Sequence, residues 1–193
     1  MLTLFLAPGS SSMAPHIALH ELGEGFTPRL VSLKRRENRA PEFLALNPEG
    51  KVPLLVTPEG RLTEVAAILF WLARRHPTAA LLPADAMGEA RVISWMSFLA
   101  ATIHPARRQG LEHARTIWAL AEARLGDGPH ALGAAYSIAD IHLFRLFWRF
   151  RGGAGLAPEE FPRLTAHHEC MMARPAVQRV LRDEAAMGYE LPA

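Results

Sequence analysis

Pro8-Gly9-Ser10-Ser11-Ser12-Met13-Ala14-Pro15-His16-Ile17-Ala18-Leu19-His20-Glu21 is the stretch whose reading decides the fold. Before it runs Leu2-Thr3-Leu4-Phe5-Leu6, an apolar run of strand length. After the serines, Ile17, Ala18, Leu19 and Leu22 mark a helix that stops at Gly23. Pro15 fits the first turn of that helix, where a missing N–H costs nothing. A strand therefore delivers a serine cluster to the N-terminus of a helix. Free backbone N–H groups and the positive dipole end point there. Such a place suits an anion: a carboxylate, a phosphate or a thiolate. A serine here can also do no more than cap the helix.

Outward from this stretch, the first 76 residues or so alternate short strand-like and helical pieces. Leu30-Val31-Ser32-Leu33 reads as a second strand, and Lys34 to Arg39 as a charged connector. Pro41 to Leu46 is a short helical turn. Val52-Pro53-Leu54-Leu55-Val56 is a third strand, and Arg61-Leu62 begins a fourth after the Pro58-Glu59-Gly60 turn. Thr63 and Glu64 open a helix through Ile68, Leu69 and Leu72. The order predicts a mixed sheet with helices packed on it. Residues 78–85 read as a linker, separating a domain over 1–77 from one over 86–193. From Ala86 no strand pattern persists. Helices are expected over 86–108, 112–125, 137–150, 162–173 and from Pro175 to about Ala186. Residues 152–159 read as a loop.

The totals narrow the function. The chain has 193 residues, half of them hydrophobic, enough for a sizeable core. Its formal net charge is +2 with mixed signs and no long basic run, which argues against nucleic acid. Cys170 is the single cysteine, so no internal disulfide forms; this fits a reducing, cytoplasmic compartment. No apolar run is long enough for a membrane span, and no secretory signal is read at the N-terminus. His167-His168 and Cys170 make no convincing metal constellation, so no metal is expected. Trp95, Phe98, Trp118, Phe147 and Trp148 recur at helical spacing; most read as core, with one or two open to lining an apolar substrate site.

Two more motifs carry chemistry. Asn47-Pro48-Glu49-Gly50-Lys51-Val52-Pro53 sets a proline at the head of a strand, a candidate cis bond. A cis bond there presents the Val52 backbone to an extended peptide ligand; an ordinary edge-strand proline is the alternative. Glu64 faces either a ligand ammonium or only the helix dipole, and the N–H groups of Val65 and Ala66 suit a carboxylate. Ser137-Ile138-Ala139-Asp140 is a capping-box-like start in which Asp140 serves as cap and fold determinant.

Together these pieces resemble the cytosolic glutathione S-transferases, over nearly the whole chain. The bacterial beta-class pattern Pro-Gly-x-Cys-Ser-x-x-x-His is similar to Pro8-Gly9-Ser10-Ser11-Ser12-Met13-Ala14-Pro15-His16, with Ser11 where the cysteine stands. The resemblance implies a thioredoxin-like α/β domain, an all-α helical domain and a homodimer. It implies glutathione as co-substrate and a small hydrophobic electrophile as its partner. By motif position the sulfur lies at Ser11, beside Ser10. The cysteinyl backbone pairs with Val52 ahead of Pro53, and the γ-glutamyl end meets Glu64 and the Val65 N–H. Arg36 and Lys51 match positions touching the glycyl end, Ser97 one that reaches across the dimer, and His104 one near the sulfur. Ser11 cannot form a mixed disulfide with glutathione, so thiol exchange by this residue is excluded. Val65 stands where Ser or Gly is common, which removes a hydroxyl worth about 1 kcal/mol of glutathione binding. The implied activity is conjugation of glutathione to electrophiles. The alternatives are a glutathione-dependent isomerase or dehalogenase on the same fold, or a non-catalytic glutathione- or partner-binding module.

Overall fold

The computed structural model describes residues 1–190. Four strands form one mixed sheet in the order β2-β1-β3-β4. They are β1 (Leu2–Leu6), β2 (Phe26–Leu30), β3 (Leu54–Thr57) and β4 (Gly60–Thr63). β1 runs parallel to β2 and antiparallel to β3, and β3 antiparallel to β4. This is the α/β sheet of the thioredoxin-like expectation. β2 lies earlier than the expected Leu30–Leu33. It is an edge strand, half-buried to exposed along its length, so no apolar run marks it. Val31 and Ser32 are buried just beyond it, and Val31 joins Phe43 and Leu54 in the core beneath the sheet.

Helix α1 (Met13–Glu21) ends as its glycine predicts. Gly23 takes a left-handed φ of 62°, and the Glu24 N–H reaches back to the Leu19 carbonyl at 3.0 Å. Helix α2 spans Pro41–Leu44, and α3 runs Val65–Arg75 directly after β4.

The chain divides into two compact units. Met1–Leu72 group with the segment from Pro175, and Ala73–Arg174 form the other. The last helix, α9 (Pro175–Met187), thus belongs with the sheet, whereas a cut at 78–85 leaves it with the other helices. Its buried Ala176, Val177 and Val180 form the apolar stripe that makes this possible.

In the second unit, α4 (Ala86–Phe98) does not continue regularly to 108. A π-helical turn, Leu99–Ile103, leads into the short α5 (His104–Ala106). Pro105 has no N–H and its ring crowds the carbonyl four residues back, so a wider turn interrupts the regular helix there. Helix α6 spans Leu111–Leu125, α7 Ile138–Ala154 and α8 Pro162–Met172. α7 runs through Gly152 and Gly153 and stops only at Gly155, at φ 60°. The expected loop therefore begins later. Trp118 packs on Phe147 and Phe150 with ring centroids 5.3 and 5.2 Å away; Trp95, Trp118 and Phe147 are buried as core, whereas Phe98 and Trp148 are half-buried. No helix among the described residues is long and apolar enough to cross a membrane.

Candidate functional site

The sheet register assembles the site. Phe5 of β1 pairs with Leu54 of β3, and Leu54 pairs with Thr63 of β4. The exit of β1, the entry of β3 and the exit of β4 therefore lie at one end of the sheet. Those three points lead to the serine loop, to Val52-Pro53 and to Glu64-Val65. The Val52–Pro53 bond is cis, as its position in the sequence suggested.

The three serines divide the work. Ser12 is buried at the N-cap position of α1, with helical φ and ψ and no side-chain cap bond. Capping alone is thus overturned. Its Oγ instead donates to the Ala7 carbonyl at 3.1 Å and accepts the Ala7 N–H at 3.0 Å. Ser10 Oγ is 2.7 Å from Ser12 Oγ and accepts the Ser12 N–H at 3.2 Å. Ser11 is half-buried, and its hydroxyl makes no hydrogen bond among the described residues. Ser10 and Ser12 build the loop, and the Ser11 hydroxyl takes no part in its bonding.

A residue that the sequence reading missed completes the loop. Glu184 of α9 is fully buried. One carboxylate oxygen accepts the Gly9 N–H at 2.6 Å, and the other lies 2.9 Å from His16 Nδ1. The signal was present: a carboxylate follows Val177 and Val180 on the apolar stripe of α9. A charge on such a stripe needs a buried partner.

Glu64 is exposed and holds a left-handed φ of 65°, costly for a residue with a side chain. Val65 is buried as the first residue of α3. Arg36, exposed with φ 58°, opens a 3-10 turn over Glu37–Arg39. That turn is tied to the loop before β3: Asn38 Nδ2 donates to the Gly50 carbonyl at 2.8 Å, and Arg39 to the Glu49 carbonyl at 3.2 Å. Gly50 has φ 63°, and a Cβ there would meet the Asn38 carbonyl at 2.8 Å, so only glycine fits. Lys51 is exposed, with Nζ 2.7 Å from Glu49 Oε2. The tie brings Arg36 and Lys51 into one region.

Ser97 and His104 lie in the second unit, both exposed, on α4 and at the head of α5. His142 of α7 is buried near His104. Burial above all, then Arg145 and His104, push its pKa down to about 3, so it is neutral at pH 7.

Known proteins match this architecture. Residues 1–74 match the family model for the glutathione S-transferase N-terminal domain, and residues 107–184 that for the C-terminal domain. The chain is 34% identical to the glutathione S-transferase GstA of Escherichia coli O157:H7, over 94% of this chain and 98% of that protein. Among solved structures, a Sulfitobacter glutathione transferase homologue with bound glutathione superposes with a TM-score of 0.89 at 31% identity. It covers 96% of this chain and 98% of its own. A bacterial beta-class glutathione S-transferase from Sphingomonas chungbukensis gives 0.83 at 35% identity, over 94% and 98% of the two chains.

Proposed function

Since the chain belongs to the glutathione S-transferase family, we propose that it binds glutathione at this end of its sheet and activates the thiol with Ser11. One observation carries the reading: of the three serine hydroxyls, that of Ser11 alone makes no hydrogen bond among the described residues. The likeness is to the beta class, with a serine in the cysteine's place.

An ordinary thiol, with a pKa near 8.5, is only a few per cent thiolate at pH 7. Lowering it by about two units needs roughly 2.7 kcal/mol. A hydroxyl donating to the sulfur anion supplies about 1.5–3 kcal/mol. The N-terminus of the nine-residue α1 adds about 0.3–1 kcal/mol. No metal is called on for this step. The thiolate attacks an electrophilic carbon of a small hydrophobic substrate. Val52, at the entry of β3 before Pro53, pairs with the cysteinyl backbone. Glu64 and the Val65 N–H take the γ-glutamyl end, and Arg36 and Lys51 the glycyl carboxylate. Ser10 holds Ser11 in place. His104 serves the sulfur side, and Ser97 reaches the second subunit of a homodimer.

The test is the ultraviolet absorbance of enzyme-bound thiolate against pH. In Ser11→Ala the bound thiol pKa rises by one unit or more, while retention on immobilised glutathione persists. An unchanged pKa dismisses Ser11. Retention without turnover of a generic aryl halide points to isomerisation or dehalogenation, or to a binding module; no retention refutes the glutathione site.

A further inference from the structure

Helix α1 carries a second cluster, one turn into the helix. His16 and His20, four residues apart, share a face, with ring centroids 5.2 Å apart. Phe26 packs roughly perpendicular to both rings, at 5.6 and 5.4 Å. Asp183 of α9 reaches the same spot, and one ligand-type atom from each of the three lies within 4.8 Å of the other two. His16 Nδ1 is already engaged by the buried carboxylate of Glu184. That leaves Nε2 to coordinate, with Glu184 orienting the ring as carboxylates do behind metal-bound histidines. We propose that His16, His20 and Asp183 bind one divalent first-row transition ion, zinc by preference, and that the ion clamps α1 to α9.

The donor chemistry fits. Two imidazoles and one carboxylate suit zinc or its neighbours, and they leave a fourth tetrahedral position for water. His20 and Asp183 are half-buried, so an ion enters from solvent. Arg179 lies 3.6 Å from one Asp183 oxygen in an exposed pair and competes only weakly. A second grouping, His130, Asp140 and His167, differs. There the Asp140 carboxylate already accepts Ala131 N–H, Ser137 N–H and Ser137 Oγ, and His167 Nδ1 has no acceptor behind it. The proposal departs from the expectation of no metal, because Asp183 joins the histidines only in the folded chain.

The test is titration of the chelator-treated protein with cobalt(II), read as visible absorption, and with zinc(II), read by calorimetry. One ion binds per chain. His20→Asn and Asp183→Asn each weaken zinc(II) binding tenfold or more, with circular dichroism unchanged. His130→Asn does not alter it. Zinc(II) raises the thermal midpoint of the wild type by several degrees and leaves that of His20→Asn unmoved. Absence of saturable binding, equal affinity in His20→Asn, or loss in His130→Asn instead overturns the site.

Discussion

Two helices of this protein begin after a serine, and they use it in opposite ways. Before α7, Ser137 accepts the Ala139 N–H at 3.3 Å, while Asp140 accepts the Ser137 N–H at 2.8 Å. This is a capping box, with Asp140 as the fold determinant that its spacing implied. Before α1, no serine caps. Ser12 turns back to Ala7, Ser10 holds Ser12, and Ser11 is left over. The first start is closed on itself and stabilises. The second spends two hydroxyls on holding a third available.

The comparison is sharpest where removal costs most. Asp140 is fully buried and also lies 3.1 Å from His167 Nε2. Asp140→Ala is expected to lose about 3 kcal/mol or more of unfolding free energy in urea, since several buried donors are orphaned together. Glu184→Ala, at the other start, is expected to cost about 2–3 kcal/mol by the same measurement, because the Gly9 N–H and His16 lose a charged acceptor. Equal stability of Glu184→Ala and wild type would break the claim that α9 sets the serine loop.

Acid should strike the helical unit through His142. Its folded pKa lies below that of the unfolded chain, so the unfolded chain takes the proton first as pH falls. The neutral group's contribution is whole above about 6.5 and is lost as pH falls toward about 3, at up to about 1.4 kcal/mol per pH unit. His168, lowered to about 4 by burial first and then by Arg151, acts in the same direction but is half-exposed and weaker. Chemical denaturation from pH 7 to 4 should show this slope, and His142→Leu should flatten it. Val65→Ser is expected to tighten glutathione about fivefold by calorimetry, one hydroxyl's worth. Smallest of all, Ser11→Ala should move stability by less than about 0.5 kcal/mol, since no bond within the protein is lost. A larger drop would mean that Ser11, like Ser137, is structural.

Beyond marking Pro53 as a candidate for a cis bond, the chain's own pattern determined β1, the stop at Gly23, the cap at Asp140 and most of the aromatic core of the helical unit. Each rests on neighbours within a turn or two, where steric and hydrogen-bonding rules act on adjacent residues. Tertiary structure alone decided which serine stays available, where the edge strand β2 pairs, and that α9 joins the sheet to lend Glu184 and Asp183. Those outcomes depend on partners distant in sequence, and no local period encodes which carboxylate will meet which loop.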